Sequence, residues 1–197
     1  MSACTGRRTG LGTHALADMF LALNLRYDSD EAIKFADKVY ENHKLASYEA
    51  SMDMAEERGT FPIWNFETDM KSQFIKRLPD HFIDRLKKVG RRNIANLTVA
   101  PTGSVSVASQ TSSGIESVFR WVYDRFVKIT HSDLDFPVDR VDGVGDKWTK
   151  FRVVHPQAMK YLESRGIKCP VSGNRDFSMG LDEANKAMKK LLPPHFV

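Results

Sequence analysis

The stretch best suited to chemistry is Ala100-Pro101-Thr102-Gly103-Ser104-Val105-Ser106, followed by the small polar segment Ser109-Gln110-Thr111-Ser112-Ser113-Gly114-Ile115-Glu116. Proline aims a turn, and glycine admits close approach of the backbone. Consecutive N–H groups with flanking hydroxyls then form a concavity that binds an anion such as phosphate. A helix starting there adds the positive end of its dipole. The spacing is neither the GxxxxGK[ST] of a P-loop nor GxGxxG. On spacing alone, an ordinary strand-to-helix turn explains such a run more often than a phosphate site does.

The remaining reactive side chains point to less. Cys4 and Cys169 are too few for a disulfide framework and lack the Cys/His spacing of a zinc site, so a reducing compartment and no metal site are expected. His43 falls on the inward stripe of a long helical pattern, where a histidine is more often a hydrogen-bonded core residue than a ligand. Five aspartates, Asp133, Asp135, Asp139, Asp142 and Asp146, crowd one segment without the ligand positions of a calcium loop.

The elements that must hold the 101–106 turn follow from periodicity. Gly10 to Leu25 reads as a buried helix, with Leu11, Leu16, Phe20 and Leu23 at helical spacing. Asp28 and Glu31 open a long helix in which Ile33, Ala36, Tyr40, His43, Ser47, Ala50 and Met54 form the inward stripe, ended by Gly59. Thr60 to Asp69 reads as an aromatic-rich loop. Asp80 caps a short helix that Gly90 closes. Ile94, Ala95, Leu97 and Val99 predict a buried strand running straight into the turn.

Beyond the turn, Phe119 to Ile129 is β-prone and is expected to pair in the same sheet. Asp133 to Asp146 reads as a loop or insertion, and Trp148 to Val154 as another strand. Pro156 suits the first turn of a helix running to Gly166. Asp182 to Leu192 forms a last amphipathic helix, stopped by Pro193-Pro194. The order predicts a mixed α/β architecture with a helix-rich first half and an irregular second half.

Composition agrees with a folded chain. In 197 residues, 42% are hydrophobic and 27% charged, far from a disordered composition. A net charge of +4 with acidic residues throughout is an ordinary solvated surface, which argues against a nucleic-acid partner. Asp18 and Asn24 interrupt the run from Ala15 to Leu25, well short of the ~20 apolar residues a spanning helix needs. The start, MSACTGRR, lacks an apolar signal-peptide core. No membrane association and a cytoplasmic location are therefore expected.

Several segments, in order, resemble the large catalytic chain of ribonucleotide reductase, most closely the adenosylcobalamin-dependent class II enzymes. They are Arg7-Arg8-Thr9-Gly10-Leu11-Gly12 with Ala17-Asp18, Leu25-Arg26-Tyr27-Asp28-Ser29, Arg92-Asn93, Ala100 to Ser104, Ser112 to Glu116, and Val118-Phe119. The resemblance runs from Arg7 to Ser132, fades after Asp133 and returns at the last helix. It departs at Ser117, where the family usually has proline.

That resemblance implies part of a ten-stranded α/β barrel, with residues 1–132 as a partial catalytic barrel and 133–197 as a loop or insertion and a continuing barrel-associated segment. It also implies that Pro101, Thr102, Gly103, Ser104, Val105 and Ser106 bind the phosphates of a ribonucleotide substrate. Thr102 to Val105 would supply N–H groups, and Thr102 and Ser104 would add their hydroxyls. The reduction of ribonucleotides to deoxyribonucleotides, for DNA synthesis, would draw on adenosylcobalamin in the assembled enzyme.

The family's radical cysteine and its supporting glutamate and asparagine lie mostly ahead of the part matching Arg7. Neither Cys4 nor Cys169 stands in such a context, so no catalytic residue is expected here. The end at Leu192 to Val197 resembles a point where family chains continue. The expectation is an internal piece, inactive alone, that works with complementary reductase segments or by self-association. Two alternatives remain open: a class I large chain, whose radical comes from a partner subunit, and a basic non-catalytic module for nucleic acid.

Overall fold

The structure, a computed structural model, describes residues 2–130 and 135–196. The expected boundary at 132/133 and Asp133 of the aspartate cluster lie outside them. Helices come first: α1 (Ser2–Gly6), α2 (Leu16–Ala22), α3 (Asp30–Arg58), α4 (Phe66–Asp69), α5 (Gln73–Lys76), α6 (Asp80–Val89) and α7 (Gly103–Ser109). Then follow β1 (Val122–Lys128), β2 (Arg140–Val141), β3 (Lys147–Val154), α8 (Pro156–Ser164) and α9 (Leu181–Leu191), with a 3-10 turn over Pro194–Phe196. The mixed α/β composition and helix-rich first half are as expected. The sheet of the described residues has three antiparallel strands in the order β1-β3-β2.

The chain forms two compact units, each built from separated stretches. One contains the residues up to Thr13 together with Asp30–Pro101; the other contains His14–Ser29 together with everything from Thr102.

In the first unit, α3 runs from Asp30 to Arg58 and ends at Gly59, whose φ of 77° favours a residue without a Cβ. Its buried residues are Ala32, Ser47, Tyr48, Ser51, Met52 and Ala55. The inward stripe is therefore rotated from the one expected: Ile33 and Met54 are exposed, and His43 is only half-buried. Tyr48 and Met52 pack with Ile75, Leu78 and Leu86 of the α5–α6 region, where Leu86 is fully buried.

The strand expected over Ile94 to Val99 does not form as a regular element. Only Leu97 bridges, to Leu11, although N–H groups of Thr9 and Leu11 reach the carbonyls of Ala95 and Asn96. The inward positions here are polar, Arg91, Asn93 and Asn96, while Val99 is exposed. Side-chain hydrogen bonds fix this segment: Asn93 accepts from the Ser51 hydroxyl at 2.9 Å and donates to the Arg7 carbonyl at 2.9 Å. The glycines of the Arg7–Gly12 run serve the same packing, since a Cβ at Gly12 would collide with the Thr98 carbonyl oxygen.

In the second unit the core is a continuous apolar cluster. It joins Trp121 and Val122 to Val154, to Ala158 and Leu162 of α8, and to Ala184 and Met188 of α9. β1 pairs with β3 from Val122↔Val154 to Lys128↔Trp148, and Arg152 meets Asp124 directly across the pair at 2.8 Å. The predicted buried helix over Gly10 to Leu25 shortens to α2, because Ala15 at φ 66° breaks the helical path ahead of Leu16. β1 has an unpaired edge among the described residues, and Tyr123, Phe126 and Val127 on it are partly exposed.

Candidate functional site

Of the turn predicted over Pro101 to Ser106, Gly103 to Ser106 are instead the first four residues of α7, and Thr102 before them holds φ 49° and ψ 30°. A residue with a Cβ in that left-handed region costs about 1–2 kcal/mol and persists where its surroundings fix it. The fixing contact is the Gly114 N–H, which donates to Thr102 Oγ1 at 2.8 Å. The Ser106 N–H then donates to the Thr102 carbonyl at 2.9 Å and closes the first helical turn. The N–H groups of Gly103, Ser104 and Val105 precede that bond and have no partner within the helix.

Space at this turn is open. A Cβ placed on Gly103 would meet no atom within 4 Å, so the approach to the turn is open. Ser104 and Val105 are exposed. Ser106 faces the other way: it is buried, and its hydroxyl donates to the Gly103 carbonyl at 2.9 Å. Pro101, exposed, is the last residue of the first unit, while Thr102 to Ser106 belong to the second.

A second turn, Ser112 to Gly114, supports the first. The Ser112 and Gly114 carbonyls accept the N–H groups of Ala15 and Leu16, which start α2. The Ser112 N–H in turn donates to Asp18 Oδ2 at 2.6 Å. His14 Nδ1 lies 3.1 Å from Thr111 Oγ1, and the Tyr27 hydroxyl donates to the Ile115 carbonyl.

Asp18 Oδ1 lies 3.3 Å from Nε2 of His155, and both side chains are more than nine-tenths buried. Burial pushes the imidazole below its ordinary value of 6.5, against the opposing pull of the Asp18 carboxylate. Sequence reasoning missed this pair. The available signals were an aspartate inside an apolar helical run and a histidine directly before the proline that opens α8.

Two clefts adjoin these groups. One of about 480 Å³ is lined by Ser106, Thr111, Tyr123, Arg125, His155 and Lys160 among others. Another of about 310 Å³ is lined by Ser106, Thr111, Ser112, Glu116 and His155 among others. Among the described residues no group of three His, Cys, Asp or Glu side chains is placed to hold a metal ion. Cys4 is exposed, and the Cys169 sulfur packs 3.7 Å from that of Met188. Among the described residues no helix is long and apolar enough to cross a membrane.

The chain belongs to the ribonucleotide reductase barrel-domain family, whose profile matches residues 2–191. Among its relatives is the vitamin B12-dependent ribonucleoside-diphosphate reductase of Mycobacterium tuberculosis (strain CDC 1551 / Oshkosh). It is 36% identical over 125 residues, which cover 64% of this chain and 16% of the relative. The protein of the same name from Thermoplasma acidophilum is 35% identical over 121 residues, covering 61% and 14%. The ribonucleoside-diphosphate reductase large chain of Neurospora crassa is 28% identical over 186 residues, covering 88% and 18%. The matched region thus spans less than a fifth of each of these relatives.

Proposed function

We propose that this chain is the part of a ribonucleotide reductase catalytic chain that holds the phosphates of a ribonucleotide, serving its reduction to a deoxyribonucleotide for DNA synthesis. The observation that carries the reading is the start of α7. Thr102, held in the left-handed region by Gly114, turns the N–H groups of Gly103, Ser104 and Val105 into a row with open space above Gly103. Such a row, with the positive end of a helix behind it, favours a phosphate oxygen. The Thr102 oxygen already accepts from Gly114, so its own O–H remains to donate, beside the exposed Ser104 hydroxyl.

On this reading Pro101 leads the chain into the turn and Thr102 to Val105 bind and orient the substrate without moving electrons, while Ser106, buried and bonded back to Thr102 and Gly103, holds the turn's shape. Family membership supports a place in a larger α/β barrel of ten strands. The unpaired edge of β1 supports completion by further strands, from complementary reductase segments or a second copy. Adenosylcobalamin enters through the relatives from Mycobacterium tuberculosis and Thermoplasma acidophilum, which are vitamin B12-dependent reductases by name. When bound it supplies the radical, and no residue of this chain is assigned to hold it. The Neurospora relative, whose name carries no B12 dependence, supports a class I reading as the second possibility. The site is nucleotide-binding and cytoplasmic on either reading.

The test is reconstitution. The chain is co-expressed with the remaining segments of a B12-dependent relative, and nucleotide reduction is assayed with adenosylcobalamin and a dithiol. Activity without a radical-supplying partner subunit is the expected result. Activity only with such a partner favours the class I reading. If the complex is active and replacing Thr102 and Ser104 by alanine leaves the substrate KM unchanged, the phosphate assignment is wrong.

A further inference from the structure

The described residues contain an unusual concentration of unsatisfied polar atoms beside the phosphate turn. Asp18 Oδ1, Ser112 Oγ, and Nδ1 and Nε2 of His155 are all buried without a hydrogen-bond partner. Nε2 and Oδ1 stand 3.3 Å apart, within ion-pair range but without the alignment of a hydrogen bond. Buried polar groups are nearly always satisfied, so a cluster of orphans around one carboxylate singles this network out.

The network leads to Thr102 in three steps. His155 faces one oxygen of Asp18; the other oxygen takes the Ser112 N–H at 2.6 Å; and Gly114, two residues on, donates its N–H to Thr102 Oγ1 at 2.8 Å. The Ser112 and Gly114 carbonyls meanwhile anchor the start of the helix that carries Asp18. Any rotation of the Asp18 carboxylate is therefore felt by the Ser112–Gly114 turn, and that turn holds Thr102 in its left-handed conformation.

We infer that Asp18 and His155 form a positioning pair for the phosphate turn: the pair fixes the Ser112–Gly114 turn, and a proton gained by His155 shifts Asp18 and loosens its hold on Ser112. The inference rests on the phosphate reading of Thr102 to Val105. The chemistry is a competition for one carboxylate. With a neutral imidazole, the Asp18 charge is concentrated on the Ser112 N–H bond. A protonated imidazole draws the carboxylate into an aligned, charge-assisted contact and weakens that bond.

Other charged and titratable groups around His155 set the background. Asp18 faces it from α2. Tyr123 and Arg125 of β1, and Lys160 and Glu163 of α8, line the larger cleft with it. Glu116 and Arg120 line the smaller one. Neither cation nor carboxylate outnumbers the other decisively, so Asp18 remains the group whose geometry His155 controls.

The experiment uses the full chain and two readouts. In the first, amide NMR shifts of Ser112, Gly114 and Thr102 are followed against pH without ligand. They should move together with the His155 imidazole, at a pH below 6.5, and stay flat in His155→Gln. In the second, affinity for a nucleoside diphosphate is measured at pH 7.5. His155→Gln and Asp18→Asn should weaken it by roughly 2- to 30-fold, the range for residues that act through a network.

The possible failures are distinct. If Thr102→Ala and Ser104→Ala bind the nucleoside diphosphate like the parent, the phosphate reading falls and the inference falls with it. If those two weaken binding but His155→Gln does not, and the three amides ignore the His155 titration, the phosphate reading stands and the positioning pair is refuted. Should the Asp18 or His155 variants not fold, the titration of the unmodified chain decides alone.

Discussion

Arg91 grips Asp69 with two parallel hydrogen bonds, Nε to Oδ2 and Nη2 to Oδ1, both at 2.7 Å and almost wholly buried. The remaining nitrogen Nη1 donates to the Asn93 and Ile94 carbonyls, and the Trp64 indole N–H adds a third bond to the same carboxylate. The pair thus holds the irregular segment that replaces the expected strand. Removing one partner strands a buried charge. Asp69→Ala should lose about 3–5 kcal/mol in urea unfolding. Asp53→Ala, which breaks the more exposed pair with Arg85, should lose no more than about 1 kcal/mol.

Gly103 separates binding from stability. Its backbone does not need a positive φ, and a Cβ there meets nothing, so Gly103→Ala should leave the unfolding midpoint unchanged or raise stability by about 0.4–1 kcal/mol. The added methyl stands where a phosphate would approach. Titration with a nucleoside diphosphate should show weakened binding in a fully folded variant; unchanged affinity would show that no ligand approaches there.

Asn185 of α9 serves as a substitute strand neighbour for the start of β1. Its Oδ1 accepts the Trp121 and Val122 N–H groups at 2.9 and 3.1 Å, and its amide donates to the Val122 and Leu181 carbonyls. Asn185→Leu removes the side-chain partner of the Trp121 and Val122 N–H groups and of the Val122 carbonyl, at about 1–3 kcal/mol for each one that stays buried. Chemical denaturation should show the loss, and hydrogen exchange should quicken first at Trp121 and Val122.

Stability should depend on pH through His155. Its pKa in the folded chain lies below the ordinary 6.5, so between those two values the unfolded chain binds more protons than the folded one. Stability is then fully present above about pH 6.5. It falls as the pH drops through 6.5 toward the folded value, and the loss levels off below that. Urea midpoints measured between pH 8 and 5 should follow this curve, and His155→Gln should flatten it.

The legible parts of the fold were those governed by local rules. Gly59 and Gly90 end their helices where the spacing placed them, Pro156 opens α8, and Pro193 follows the end of α9. What escaped was decided by partners far along the chain. Ile94 to Val99 carries the apolar and β-branched residues of a strand, yet Arg91, Asn93 and Asn96 take the buried positions through bonds to Asp69, Ser51 and Ser47. The run from Pro101 to Ser106 is legible as the place where the chain turns into a helix, but α7 already starts at Gly103. Its support by Gly114 and Asp18 is not legible, since no local spacing relates residue 114 to 102 or 18 to 112.

The interleaving of the two units bears on synthesis. Asp18 and Ser112 are 94 positions apart, and His14 and Thr111 are 97 apart. While the chain emerges from the ribosome, Asp18 of α2 is made 94 positions before Ser112, whose N–H donates to its carboxylate. The α3–α6 stretch can settle in the meantime from nearer contacts, whereas the phosphate turn must wait for loops of that length to close. An arrest that releases the chain as far as Pro101 should therefore yield folded α3 and α6 while α2 is still sensitive to protease.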